Sequence, residues 1–329
     1  MRPDSFRYKN ILNGILFLAI LLCLIAAGSE LIEPKGYEAY DLSVVKIKIG
    51  AIEAEEENSI DVIFAGNSES CYTFSPLQLW GEYGITSYDL GSGAQRLCDT
   101  YAILKEMFKT QRPKVLVLET DSVMEQYPGI YKDDDEFINR LEDIFPIFHY
   151  HSAYNQIQLP KFILKYTQNR KNESLYKGFQ IRSEQAGAEV YDNMHDDGGE
   201  ACAQITEEGL DILDKIKKLC LTNNCELMLV SAPSMVNWNM SKHNAIEKWS
   251  STNNIEYLDL NLCNDSIGID WAEDTFDNGV HVNIYGASKV NRYMGEILKN
   301  KAGSRDREES VARKWNKDYS ESIYSKEER

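Results

Sequence analysis

The chain has 329 residues, 35 basic against 52 acidic side chains and a net charge of −17, with 43% hydrophobic residues. Such a balance excludes a nucleic-acid binder, whose phosphates require a basic face, and a protein lying flat on anionic lipid. The 300 or so residues beyond the N-terminal segment suffice for one large domain with a full core.

Arg2, Arg7 and Lys9 precede an apolar run from Ile11 to Ala27 that only Asn13 and Gly14 interrupt. At about 1.5 Å per residue the run covers roughly 25 Å, close to the lower limit for crossing a bilayer. Basic residues before it and Glu30, Glu33 and Glu38 after it predict a cytoplasmic N-terminus and a body outside. A retained anchor and a cleaved signal peptide compete here. The length of the run and the poor cleavage site at Ala26-Ala27-Gly28 favour the anchor. Residues 1–29 are thus read as the N-terminus and transmembrane helix, and 30–58 as a stalk.

From residue 59 short apolar strands alternate with amphipathic helices. The strands are placed at Asp61–Ala65, Ser87–Leu90, Lys114–Leu118, Glu226–Val230 and Ile255–Leu260. The helices fall at Gln95–Lys109, Thr206–Leu221, Lys242–Ser251 and Ala287–Asn300. This order predicts a mostly parallel α/β sheet covered on both faces over 59–302, with functional groups at the carboxyl ends of the strands. Residues 124–200 break the rhythm with tyrosine and charge, and are read as an inserted, cap-like wall. The tail, 303–329, is mostly charged; docking through Val311, Trp315, Ile323 and Tyr324 competes with disorder. Of seven cysteines, Cys23 lies in the span and Cys220 and Cys225 are close enough for a local disulfide. Cys71, Cys98, Cys202 and Cys263 are expected buried and free.

The first strand delivers Gly66-Asn67-Ser68-Glu69-Ser70, a serine on a sharp turn, and far downstream stands Asp277-Asn-Gly-Val-His281-Val-Asn283. A serine hydroxyl is inert unless an imidazole takes its proton and an acid orients that imidazole, and these residues supply the parts. Elsewhere the signals are weaker. His149 and His151 have the spacing of two metal ligands on a strand face, with no third ligand nearby. The acidic run Asp192 to Glu200 lacks calcium-loop spacing. No phosphate-cradling or dinucleotide fingerprint is present, so no cofactor is expected. Trp238, after the fourth strand, suits a sugar ring as well as a core position.

Gly66-Asn67-Ser68-Glu69-Ser70 resembles the first sequence block of the SGNH/GDSL hydrolase superfamily, Leu90-Gly91-Ser92-Gly93 the second, and Asp277 to His281 with the following Val-Asn283-Ile-Tyr-Gly286-Ala the last. The resemblance implies a flavodoxin-like three-layer α/β/α sandwich. It implies Ser68 as nucleophile, His281 as base and Asp277 as the orienting acid, with the Ser68 and Gly91 amides in an oxyanion hole. It is strongest to membrane-anchored bacterial members that process D-alanyl or acetyl esters of envelope polymers, with a membrane acyl-transfer protein as partner. Two departures stand out. The family acid lies three residues before the histidine, where this chain has Asn278; Asp277 is four before, and Asp274 competes. The third block's asparagine is absent, Leu118-Glu119-Thr120-Asp121-Ser122 standing in its place, so Asn67 or Gln95 is the substitute donor. The expectation is an extracytoplasmic serine esterase or O-acyltransferase acting on a cell-envelope polysaccharide or teichoic acid, or a non-catalytic scaffold of an acylation complex.

Overall fold

A computed structural model describes residues 4–32, 42–124, 145, 175–189, 194, 201–303 and 308–326. His149, His151 and most of the 124–200 insertion lie outside the described residues. The chain divides into two compact units, one of Met1–Ala39 and Gly129–Asn169, the other of Tyr40–Pro128 and Arg170–Arg329. In the first unit, helix α1 (Asp4–Ile32) contains the stretch Leu12–Ser29, which is long and apolar enough to cross a membrane.

The second unit is built on five parallel strands: β1 (Val62–Ala65), β2 (Ser87–Asp89), β3 (Val115–Glu119), β4 (Glu226–Ser231) and β5 (Glu256–Asp259). Their order across the sheet is β2-β1-β3-β4-β5, the doubly wound arrangement in which the chain switches direction between β1 and β3. β1, β2 and β3 are buried along their whole length, and successive side chains enter different layers. Ile63, Ala65, Leu116, Leu118, Leu227 and Leu229 join one core layer. Val62, Phe64, Val115, Val117, Met228 and Val230 join the other.

The first layer is covered by α2 (Leu42–Glu53), through Ile52, and by the longer helices whose apolar stripes the sequence shows. Those include α5 (Leu97–Thr110), which follows α3 (Ser68–Thr73) and α4 (Pro76–Tyr83) in the chain. After the one-turn α6 (Asp121–Met124) come α7 (Glu207–Thr222) and α8 (Met240–Asn253), again on this side. Beyond the one-turn α9 (Asn264–Ile267), α10 (Ile284–Ala302) lays Val290, Met294 and Leu298 against the opposite layer.

Three expectations are corrected. The stalk contains α2, whose Ile52 is fully buried, so 42–53 belongs to the domain. The tail contains α11 (Glu309–Glu321), which docks through Val311 and Trp315. Cys202 is exposed rather than buried, while Cys71 is buried and Cys220 and Cys225 are both buried and free.

Candidate active site

Ser68 sits where the sheet topology directs ligands: just past the carboxyl end of β1, at the switch point between β1 and β3. Asn67 caps α3, its Oδ1 accepting the Glu69 amide at 2.9 Å, which fixes Ser68 as the first helical residue. Ser68 is half-buried although both its neighbours are buried, so its hydroxyl is reachable.

The Ser68 Oγ lies 2.8 Å from His281 Nε2, and His281 Nδ1 lies 2.6 Å from Asp277 Oδ2. The other Asp277 oxygen accepts the His281 backbone amide at 2.8 Å. The four-residue spacing works because Asn278 and Gly279 both have positive φ, 61° and 90°, the pair of left-handed residues that a tight reversal requires. Thr275 bridges Val282 across this reversal in antiparallel fashion. The Asn-Gly dipeptide is the sequence signal for that turn. Asp274 is engaged elsewhere, bonding Lys289 Nζ at 2.5 Å and the Asp270 amide at 2.7 Å.

The expected oxyanion and substrate groups are not free. The Gly91 amide donates to Asp89 Oδ1 at 2.6 Å. Glycine is required there for another reason: a Cβ would lie 2.8 Å from Ser70 Cβ and 2.9 Å from the Asn67 carbonyl. Asn67 Nδ2 donates to Asp121 Oδ2 at 2.7 Å. Gln95 precedes α5 rather than opening it, accepting from Ser92 Oγ and donating to Thr100 Oγ1. Trp238 is a core residue, 2% exposed, its indole N–H donating to Asp259 Oδ2 at 2.9 Å. Gly91 and Gln95 are held by residues within five positions in the chain, Asn67 and Trp238 by residues 54 and 21 positions away.

The carboxylates after β3 are likewise internal. Glu119 accepts the Asp121 amide through both oxygens, at 3.0 and 3.1 Å. Burial, then the Asp121 charge, lifts the Glu119 carboxyl well above the usual range against these backbone donors. Among the described residues no group of three or more metal-ligating side chains is gathered.

Several residues were not anticipated. Asp89 accepts from both Gly91 and Ser70 beneath the nucleophile turn. Asn237, in the loop after β4, donates to Glu69 Oε1 at 2.7 Å. Phe276 stacks on the His281 ring at 5.6 Å, and Tyr72 meets both rings edge-on at 5.1 Å. Exposed Arg182, from the described end of the insertion, lies over Tyr72 and Phe276.

A second histidine–aspartate pair lies farther along the sheet. His243 Nδ1 is 2.8 Å from Asp259 Oδ2, and that hydrogen bond raises the His243 pKa despite burial. A raised native pKa means stability that is complete below the unfolded value of about 6.5 and fades as pH climbs through the native one. His243→Gln therefore flattens the fall in denaturant midpoint on raising the pH above about 6.5. An equal fall in both proteins would rule out this pair as its source.

No protein-family model matches the chain, and no curated protein matches it. Solved structures similar to it include a protein described as an acylhydrolase from Bacteroides fragilis, at 11% identity and a TM-score of 0.41 over 80% of this chain and 99% of that one. A GDSL-like lipase from Bacteroides thetaiotaomicron is similar at 10% identity and a TM-score of 0.40, covering 78% and 97%. A carbohydrate acetylesterase family member from Sinorhizobium meliloti is similar at 10% identity and 0.33, covering 74% and 100%. Likeness at this level carries no function. What the chain itself shows is a doubly wound α/β protein with a hydrogen-bonded serine–histidine–aspartate chain at its switch point.

Proposed function

We propose that the chain is a membrane-anchored serine enzyme that cleaves or transfers an ester-linked acyl group outside the cytoplasm. The observation that carries this reading is the unbroken path from Ser68 Oγ through His281 to Asp277, with 2.8 and 2.6 Å steps. Ser68 Oγ attacks the ester carbonyl while His281 Nε2 takes its proton, and the Asp277 carboxylate stabilises the imidazolium. The tetrahedral intermediate collapses as His281 returns the proton to the departing alcohol oxygen, leaving acyl-Ser68. Water, or a polymer hydroxyl, then takes the acyl group by the reverse sequence.

Arg2, Arg7 and Lys9 ahead of the apolar helix support an extracytoplasmic domain. A tethered enzyme meets substrates of the envelope, so O-acylated polysaccharide or teichoic acid is the substrate class, fed by a membrane acyl-transfer protein where transfer is the outcome. Arg182 at the aromatic rim suits an anionic polymer. A second reading, a non-catalytic scaffold of an acylation complex, draws on the engagement of the Gly91, Asn67 and Gln95 donors.

The test is mass spectrometry of the detergent-solubilised full chain after reaction with a fluorophosphonate. The enzyme reading expects one adduct on Ser68, absent from His281→Ala. Folded protein left unlabelled at Ser68 would favour the scaffold.

A further inference from the structure

Resting on that reading of the Ser68 site, we propose that the Glu69 carboxyl is a working group of the site, donating a hydrogen bond to the ester carbonyl oxygen as Ser68 attacks it. Of the donors expected for this task, the Gly91 amide is engaged on Asp89 and one Asn67 N–H on Asp121, so the Ser68 amide needs a companion. Glu69 follows the nucleophile directly, is only 2% exposed, and brings Oε1 to 3.9 Å from His281 Nε2. Asn237 Nδ2 donates to that oxygen at 2.7 Å, whereas Oε2 is buried without any hydrogen-bond partner.

A buried carboxylate with an empty oxygen is costly, and its surroundings make ionisation costlier. Asp121 from α6, Glu119 from the end of β3 and Asp277 from the loop before α10 all bear on it with like charge. The nearby cation, Lys242 of α8, has its Nζ 3.5 Å from Asp121 Oδ1 and 2.6 Å from the Asn237 carbonyl. Burial first, then the Asp121 and Glu119 charges, push the Glu69 pKa well above the usual carboxylate range, while the Asn237 hydrogen bond opposes the rise.

A neutral carboxyl carries an O–H that needs an acceptor, and the oxygen without a protein partner is where an acceptor is missing. The terminal carboxyl torsion is broad, so rotation about it exchanges the two oxygens and brings the O–H to the edge that lies 3.9 Å from His281 Nε2. The developing oxyanion supplies the acceptor. No proton leaves Glu69: the serine proton goes to His281 and on to the leaving alcohol, and Glu69 contributes only a hydrogen bond that strengthens as charge develops.

The experiment compares the full chain in detergent with Glu69→Gln and Glu69→Ala, following acylation by p-nitrophenyl acetate across pH. Infrared difference spectra against Glu69→Gln run alongside. Glu69→Ala is expected to acylate about 10²- to 10³-fold more slowly, the loss typical of one oxyanion donor. Glu69→Gln, whose amide N–H can donate, is expected to recover most of that rate. It should also lose the alkaline decline that Glu69 ionisation gives the wild type. A protonated-carboxyl band at neutral pH, missing from Glu69→Gln, is the signature that a merely structural residue would not give. Wild-type acylation matched by Glu69→Ala, or the lack of that band, overturns the assignment and leaves the Ser68 reading intact. A wild type that shows the band but acylates nothing overturns both.

Discussion

Asp277→Asn lowers the rate of Ser68 acylation by about 10⁴-fold at neutral pH, the effect of putting the base in the wrong tautomer. In the native site one Asp277 oxygen accepts the His281 backbone amide, and the other accepts Nδ1–H, which leaves Nε2 unprotonated toward Ser68. Asparagine offers one oxygen and one NH2. If the oxygen keeps the backbone contact, the NH2 faces Nδ1, moves the ring proton to Nε2 and removes the base. Asp274→Asn separates this from a general loss of negative charge. Asp274 is buried and bonds Lys289 and the Asp270 amide, so its loss costs stability, about 1–3 kcal/mol, at little cost in rate per folded molecule. Second-order rate constants for phosphonylation by a fluorophosphonate check both. A 10⁴-fold loss in Asp274→Asn with Asp277→Asn near wild type would reassign the acid.

The sheet was legible because its signal is local. The continuous apolar runs in Val62–Ala65 and Val115–Glu119 reflect two buried faces, and strand boundaries moved by a single residue or so. Ser68 and the Asp277–His281 pair were legible because a strand-end turn and a late acid–histidine pair are local as well. What was not legible is which partner each polar group takes. Gly91 reads as a close-approach glycine, which it is, but composition alone does not show that Asp89, two residues before it, folds back to hold its amide. Glu69 reads as an ordinary first-turn acid, and only Asn237, 168 residues away, marks it as part of the site. Besides α11, two helices of eight residues or more were missed, for opposite reasons. The signals for α4 were present, Pro76 at its start and left-handed Gly84 at its end, around a helix of only eight residues. For α2, the run Lys46-Ile-Lys-Ile49 alternates as a strand would, and packing of Ile52 into the core overrides that propensity.

The tail offers the sharper test of how far composition can mislead. Trp315→Ala is expected to cost about 3–5 kcal/mol, the range for deleting a buried aromatic, read as a fall in denaturant midpoint at unchanged slope. Trp315 is 1% exposed, lies 5.6 Å from the Trp80 ring and has Lys177 Nζ 5.2 Å above its own ring. The loss would not stop at a cavity. Lys177 is fully buried and is neutralised by Glu55 at 3.0 Å and by Asp318 of α11 at 2.6 Å, while Lys314 of α11 bonds the other Glu55 oxygen at 2.7 Å. Undocking α11 removes Asp318 and Lys314 together, which leaves a Lys177–Glu55 pair stripped of the helix that buries it and of one of the two carboxylates bonded to the ammonium. The Lys177 carbonyl in turn accepts the Asp89 amide at 2.8 Å, and the Asp89 carboxylate holds Ser70 and Gly91 under the nucleophile turn. Trp315→Phe, which keeps an aromatic in the slot, should recover most of the stability. A midpoint in Trp315→Ala equal to wild type would mean that α11 contributes nothing to the fold. A charged tail thus sustains the geometry beneath Ser68, because it buries Lys177 and supplies the second carboxylate that holds its ammonium.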